Sequence, residues 1–156
     1  MQTFLPYESV VNSLNILDNK RLNKQRLEAK QILNCLKVPN RWKNHPAVKM
    51  YKGYEFFLSL YYNEAIKAWI NRGFKNTMEF VDLTSFDNQD IPYWLGDERL
   101  HKSHRCNLLR KNFDYYSNFF EKDLDIDAPY WWPTGLTNKK NNDIMIKYWD
   151  KKERGI

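Results

Sequence analysis

The segment from Asp18 to Leu33 reads DNKRLNKQRLEAKQIL, and it constrains the fold more than any other part of the chain. Leu22, Ala29 and Leu33 recur at helical spacing, and strong helix formers stand between them. Asp18 is a suitable N-cap, and a helix of this kind has to end before Pro39. The sequence therefore predicts one long, highly charged helix in this part of the chain.

The remaining segments also favour helices, because Gly and Pro are few and no stretch alternates for long with period two. The predicted elements are a short helix over Glu8–Leu17, a long helix from Pro46 to Gly73, a loop with one helical turn over Asn76–Trp94 and a helix from about Gly96 to Lys111. We predict an all-α fold, with a single compact helical domain and long aromatic-rich loops over residues 1–136. Residues 137–156 are predicted to form a polar tail with room for a short helix, and Thr137 to Asn142 are predicted to be loose.

The charge of the chain is high and uneven. The formal net charge is +6, and the sequence pI is about 9.2. Nine Lys or Arg residues and only two acidic residues lie between Asp18 and Met50, whereas Asp82 to Glu98 carry five acidic residues and no Lys or Arg. This distribution favours an anionic partner that binds in a defined orientation.

Several classes of protein do not fit the sequence. Two cysteines do not form a disulfide framework, and the N-terminus lacks the basic and apolar regions of a signal peptide, so we expect a cytoplasmic protein (or one of a nucleoid or viral factory) that is not secreted. The longest apolar stretch, residues 56–62, is too short to cross a bilayer. Three histidines without metal-ligand spacing, and no Gly-rich phosphate loop or GxSxG motif, predict no metal or other cofactor. We expect a monomer.

A lone carboxylate lies in the basic part of the predicted helix. Four residues share one stripe of that helix: Arg21, Gln25, Glu28 and Ile32. The basic residues around Glu28 are Lys20, Arg21, Lys24, Arg26 and Lys30. Such a surface attracts a polyanion, and Glu28 is a candidate acid/base group within it. The alternative is a solvated helix whose charges are exchangeable.

A second basic cluster, HKSHRCNLLRK, extends from His101 to Lys111. In a helix, one face holds His101, His104, Arg105 and Leu108, with Arg110 and Lys111 nearby. A basic helix with histidines can bind phosphates through charge-assisted hydrogen bonds. The alternative is a buried histidine that is satisfied within the protein and an exposed basic end of the helix.

Aromatic residues are unusually abundant. Trp42 and the YWW sequence of residues 130–132 lie beside prolines in predicted loops. There they can stack on an unpaired or extruded base. The alternative is ordinary packing in the core or on a helix surface.

Four motifs in order, MQTFLPY, LDNKRLNKQRLEAKQIL, NHPAVKMYKGYE and SHRCNLLRKNFDYY, resemble the pyrimidine-dimer DNA glycosylase family. The resemblance to bacterial members extends from Met1 to about Pro133. It implies a compact all-α fold and an enzyme with both glycosylase and AP-lyase activity. In the phage member, the N-terminal amine attacks the sugar carbon that bears the damaged base, and a helical glutamate is essential. The match to that glutamate is Glu28.

The nucleophile implied by the resemblance depends on the N-terminus. The phage member loses its initiator Met, whereas the large Gln2 usually blocks that removal, so the amine belongs to Met1. The alternatives are a lysine such as Lys24, or attack by water in a monofunctional glycosylase. An α-amine has a pKa of roughly 8, and the neutral form is a good nucleophile.

The implied substrate is double-stranded DNA that carries cyclobutane pyrimidine dimers. The candidate DNA-binding residues are Arg21, Gln25, Arg26, Trp42, His45, His104, Arg105, Arg110 and Lys111. Two other functions stay open at this point. One is a nucleic-acid-binding protein of the same fold without catalysis, and the other is an enzyme for a small nucleotide or phosphate substrate that uses His45 and His104 as an acid/base pair.

Overall fold

A computed structural model describes residues 1–133 and 135–153 of the chain. Within these residues there are seven α-helices, one 3-10 helix at Leu83–Ser85 and no strand, which confirms the all-α class. The helices are α1 (Val10–Asn15), α2 (Asn19–Lys37), α3 (Pro46–Lys49), α4 (Glu55–Asn71), α5 (Glu98–Lys111), α6 (Phe113–Tyr116) and α7 (Lys139–Glu153).

The backbone forms two compact units. The first contains Met1–Phe4 and Ser9–Tyr93, and the second contains Leu5–Glu8 and the described residues from Trp94 onward. The division into residues 1–136 and 137–156 that the sequence suggests stays a prediction.

The first unit is built on the packing of α2 against α4. Asp18 is the N-cap of α2, and Val38 at the other end has an extended backbone ahead of Pro39, as predicted. Leu22 and Ile32 on α2 and Leu58 on α4 are fully buried. Their helical spacing gives each helix an apolar face, and burial of those faces stabilises the pair.

The prediction of one long helix from Pro46 to Gly73 is wrong, because the structure has two helices there, α3 and α4. Pro46 does occupy the first turn, but α3 ends at Lys49. Gly53 then adopts a φ of +85°, a left-handed conformation that a helix cannot continue through. Glycine adopts it without steric cost, so the chain turns there and α4 begins at Glu55.

In the second unit, α5 begins close to the predicted position. Asp97 is its N-cap and accepts a hydrogen bond from the Arg99 backbone N–H. Leu100 and Leu108 on this helix are fully buried.

The polar segment from Thr137 to Asn142 is more ordered than predicted. The Asn138 side chain accepts a hydrogen bond from the Asn141 backbone N–H at 2.8 Å, which caps the start of α7. Met145 and Trp149 on α7 are buried, so this helix contributes an apolar face to the second unit. No helix in the described ranges is both long enough and apolar enough to pass through a bilayer.

Candidate active site

The N-terminal segment is held by side chains of α2 and α4. The Phe4 backbone N–H donates to Gln25 Oε1 at 2.8 Å. The Tyr61 hydroxyl lies 2.8 Å from the Phe4 carbonyl oxygen and 2.8 Å from Gln25 Oε1. All three residues are buried. Both backbone polar groups of Phe4 therefore have side-chain partners, as buried peptide groups require.

A second contact holds Thr3, the residue before Phe4. Thr3 Oγ1 and the Tyr51 hydroxyl lie 2.6 Å apart, and both side chains are fully buried. Burial raises the pKa of Tyr51, so its phenol stays protonated at neutral pH. The backbone is thus fixed at two consecutive residues, only two positions from the N-terminal amine of Met1.

Gln25 also connects the N-terminal segment to the candidate acid/base group. Its Oε1 accepts the contacts from Phe4 and Tyr61, so its amide nitrogen is available on the other side. That nitrogen lies 3.5 Å from Glu28 Oε2, one turn further along α2. Glu28 is half-buried, whereas Gln25 is 1% exposed. The predicted stripe of α2 therefore extends from a buried amide to a partly accessible carboxylate.

His45 is the N-cap residue of α3. Its pKa lies below the usual value, first because of burial and second because of the positive charge of the N-terminus. Its Nδ1 accepts a hydrogen bond from the Ala47 backbone N–H at 3.0 Å, which caps α3. The imidazole is therefore neutral at pH 7, with its proton on Nε2.

Trp42 stands beside this histidine. The two rings are in an edge-to-face arrangement with centroids 6.1 Å apart, and the Arg41 guanidinium lies 5.1 Å from the Trp42 ring. Trp42 is 39% exposed, so part of its ring is accessible to a stacking partner. Its predicted role in contacting a base stays a prediction.

The basic residues around Glu28 on α2 are either exposed lysines or arginines that contact other residues of the protein. Lys20, Lys24 and Lys30 are exposed, and they give the helix a cationic surface. Arg21 pairs with Asp18 at 3.2 Å. Arg26 is buried and is already engaged within the protein.

The Arg26 guanidinium donates to Asn76 Oδ1 at 2.8 Å and to Asn23 Oδ1 at 2.5 Å. It also stacks over Trp69, with 4.6 Å between the guanidinium carbon and the ring centroid. These contacts hold two of the three guanidinium nitrogens within the first unit, whereas the buried Nε has no hydrogen bond to the described residues. The DNA contact predicted for Arg26 stays a prediction.

The family model described as pyrimidine dimer DNA glycosylase matches residues 1–82 of the 156 in the chain. The chain belongs to this family. The matched residues include the N-terminal segment, α2 with Gln25 and Glu28, and His45. No curated protein and no solved structure matches the chain.

Helix α5 lies outside the residues matched by the glycosylase family model. Its two histidines bind the backbone of one residue from opposite sides. His104 Nδ1 accepts a hydrogen bond from the Leu5 N–H at 2.8 Å, and His101 Nδ1 donates to the Leu5 carbonyl at 2.7 Å. His101 Nε2 accepts from the Gly96 N–H at 3.0 Å. Both rings are therefore neutral, with opposite tautomers.

Burial explains why these rings stay uncharged. His104 is fully buried, and burial lowers its pKa to about 3. Burial also lowers the pKa of His101. A histidine that is 0% exposed offers no accessible face to a substrate, so the basic pattern of α5 reflects packing within the second unit at this position.

The arginines of α5 also contact the protein. Arg105 donates to the Pro6 carbonyl at 2.7 Å and pairs with Glu98 and Glu121. Arg110 is exposed, although its guanidinium reaches the Ile126 carbonyl at 3.1 Å. Lys111 is exposed. The DNA contacts predicted for His104, Arg105, Arg110 and Lys111 stay predictions.

Three residues of the site are absent from the candidates drawn from the sequence: Thr3, Tyr51 and Tyr61. Each acts through a contact with a residue at least 36 positions away in the chain. No local spacing signals such a contact, and a buried tyrosine on an apolar helix looks like core packing.

Proposed function

We propose that the protein is a DNA glycosylase and AP lyase that removes damaged pyrimidines, such as cyclobutane dimers, from duplex DNA. The Met1 amine is the nucleophile, and Glu28 is the proton-transferring carboxylate. The observation that carries this proposal is the role of Gln25, because one amide side chain contacts both the Phe4 backbone and Glu28. Gln25 thus connects the segment that follows Met1 to Glu28, one turn further along α2, which supports a site that uses both groups.

The first stage replaces the glycosidic bond by a bond to the enzyme. The neutral amine nitrogen of Met1 bonds to C1′ of the sugar, while the bond between C1′ and the base breaks and its electron pair leaves with the base. The base takes up a proton, and the amine loses one. Opening of the sugar ring, with Glu28 delivering a proton to the ring oxygen, leaves an imine between the amine and C1′.

The second stage breaks the strand. A carboxylate removes a proton from C2′, and the electron pair shifts towards the imine. The C3′–O bond then breaks, and its electron pair leaves with the phosphate, so the downstream strand carries a 5′-phosphate. Water hydrolyses the imine and returns the Met1 amine. Glu28 is half-buried on α2, a position that gives partial access to such a substrate.

The cationic surface of α2 supports binding to DNA. Lys20, Lys24 and Lys30 are exposed on the helix that carries Glu28. Phosphate contacts of this kind position a duplex without reading its sequence. The accessible part of the Trp42 ring suits an extruded base. Such an enzyme acts as a monomer within the cell.

The experiment is a comparison of two variants on a duplex that contains one cyclobutane dimer. Glu28→Gln keeps the size of the side chain and removes its charge. Loss of a positioned acid/base group costs on the order of 10²–10⁴-fold in rate, so we expect cleavage to fall by that factor while binding persists.

Glu64→Gln is the matched control, because Glu64 is a half-buried carboxylate on α4 that pairs with Lys67 at 3.1 Å. We expect it to cleave like the parent protein. Equal rates for the Glu28 and Glu64 variants would rule out the catalytic role of Glu28.

A further inference from the structure

A cavity of about 380 Å³ opens in the first unit, in the size range of small-ligand sites. It is bordered by the end of α2, the following loop, α3 and the first residue of α4. Four of its lining residues are apolar: Cys35, Leu36, Pro39 and Val48. The other five are polar: Lys43, Asn44, Lys49, Lys52 and Glu55. None of these residues belongs to the site proposed above.

The polar residues that line the cavity carry an excess of positive charge. Lys43, Lys49 and Lys52 are exposed, and none forms an ion pair with any residue whose side chain the structure describes. The single carboxylate, Glu55, accepts a hydrogen bond from the Gly53 backbone N–H at 3.3 Å. Three ammonium groups and one carboxylate, which already has a local contact, therefore line the cavity, and an anion is favoured there.

The backbone at the start of α4 adds to the positive potential of the lysines. Glu55 is the first residue of α4, a 17-residue helix, and the N-cap residue Tyr54 provides no side-chain hydrogen bond to the first turn. The positive end of the helix dipole therefore borders the same cavity as the lysines. The two independent features, unpaired lysines and an uncapped helix start, act in the same direction.

The charge and the lining of the cavity favour a phosphate monoester over a phosphodiester. A phosphodiester within a duplex carries one negative charge and continues into the chain on both sides. A phosphate monoester carries about −1.5 to −2 at pH 7, and it ends the chain. A cavity lined by three exposed lysines and by four apolar residues suits a dianion with a sugar or base attached.

We propose that this cavity binds a terminal phosphate monoester together with its nucleoside, as in a 5′-phosphorylated nucleotide. The lysines contact the phosphate, and Val48, Leu36 and Pro39 contact the sugar or base. The choice of a 5′ end rests on the proposed function, since β-elimination leaves a 5′-phosphate on the downstream strand. The ligand source is then the product strand, and a free 5′-mononucleotide has the same chemistry.

The test measures binding of short, undamaged single strands by fluorescence anisotropy, with Glu28→Gln protein so that catalysis does not contribute. We expect the 5′-phosphorylated strand to bind roughly tenfold tighter than the 5′-hydroxyl strand, the effect of one or two charge-assisted contacts. The same affinity for both strands would overturn the proposal. A 3′-phosphorylated strand has the same charge, and equal tightening by it would overturn the assignment to a 5′ end.

Two double variants locate the effect. Lys49→Ala/Lys52→Ala removes two lysines of the cavity, and Lys67→Ala/Lys75→Ala removes two exposed lysines elsewhere in the first unit. We expect the preference for the 5′-phosphate to vanish in the first variant and to persist in the second. Loss of the preference in both variants, or in neither, would overturn the assignment to this cavity.

Competition with deoxythymidine 5′-monophosphate separates the two sources. Displacement of the strand at concentrations near its own dissociation constant indicates a free-nucleotide site, whereas displacement only at much higher concentrations indicates a strand end. Binding by Glu28→Gln protein does not depend on turnover. If Glu28→Gln prefers the 5′-phosphate but the parent protein shows no lyase activity on an abasic duplex, the cavity is retained and the proposed function is rejected. If the parent protein shows lyase activity but Glu28→Gln has no such preference, the proposed function is retained and the cavity is rejected.

Discussion

Helices α2 and α5 both have basic sequences, but the structure uses their polar residues differently. On α2, Lys20, Lys24 and Lys30 are exposed around a half-buried Glu28. On α5, His101, His104 and Arg105 are buried and bind the backbone of Leu5 and Pro6. The lysines around Glu28 are open to solvent, whereas these three residues of α5 use nitrogen atoms to satisfy buried peptide groups.

The difference shows what a basic pattern alone does not reveal. A buried peptide group outside a helix or sheet needs a side-chain partner, and histidine and arginine supply donors or acceptors that reach it. In the first unit, Gln25 serves the same purpose at Phe4, yet it also contacts Glu28. A structural contact and a candidate catalytic contact therefore meet at Gln25, whereas the described contacts of His104 concern packing.

The largest effect is expected at Gln25. Gln25→Leu keeps the volume but removes the acceptor of the buried Phe4 N–H, and an orphaned buried group costs about 1–3 kcal/mol in the free energy of unfolding. Because the segment behind the nucleophile loses its anchor, we also expect cleavage per folded molecule to fall on the order of 10²-fold. Urea unfolding and a cleavage assay measure the two effects. Gln31→Leu, at an exposed glutamine of α2, is the control, and equal behaviour of the two variants would contradict the role of Gln25.

At α5, we expect a substitution of His104 to lower the free energy of unfolding without a matching change in the rate of DNA cleavage. His104→Leu removes the acceptor of the Leu5 N–H, so we expect a loss of about 1–2 kcal/mol in the free energy of unfolding. Cleavage per folded molecule is expected to stay close to that of the parent. If His104→Leu had normal stability but no cleavage activity, the contrast between α2 and α5 would be contradicted, because a residue of α5 would then be required for catalysis. Lys102→Ala, at a partly exposed position of α5, is the control for stability.

Acid should destabilise the second unit through the same histidine. The pKa of His104 is about 3 in the folded protein and about 6.5 in an unfolded chain. As the pH falls, the unfolded chain takes up the proton first, so stability is complete above about pH 6.5 and is lost as the pH falls towards 3. The loss is at most about 1.4 kcal/mol per pH unit for one group. Urea unfolding at pH 7, 5.5 and 4.5 measures it, and an equal decline in His104→Asn would show that other groups cause it.

The smallest effect is expected at the exposed lysines of α2. Lys24→Ala should reduce the slope of log K against log salt for duplex binding by about 0.9, the contribution of one phosphate contact. Lys67→Ala, on the exposed surface of α4, should leave the slope unchanged. Titrations at four salt concentrations measure both slopes. An unchanged slope for Lys24→Ala would remove this lysine from the DNA-binding surface.

The sequence predicted the helices that depend on local signals. Asp18 occupies the N-cap position of α2, and α5 extends to Lys111 as predicted. The sequence missed the break between α3 and α4, because Gly53 is a weak signal within a long apolar pattern and its left-handed φ is decided by the turn. It also placed loose chain at Lys139, where the cap from Asn138 starts α7.

The candidate site was predictable only in part. Helical spacing placed Gln25 and Glu28 on one stripe, and the structure has them in contact. The spacing could not show that Gln25 binds Phe4, 21 positions away, or that Arg26 is buried against Trp69. Such contacts depend on how helices pack, which local patterns do not encode.

Borohydride trapping tests the central claim most directly. The protein is incubated with a duplex that contains an abasic site, reduced, and examined for a covalent adduct by peptide mapping. We expect an adduct whose only modified residue is Met1, formed by the parent protein and by Glu64→Gln. An adduct on Lys24, or no adduct with protein that is folded and bound to DNA, would contradict the N-terminal amine as the nucleophile.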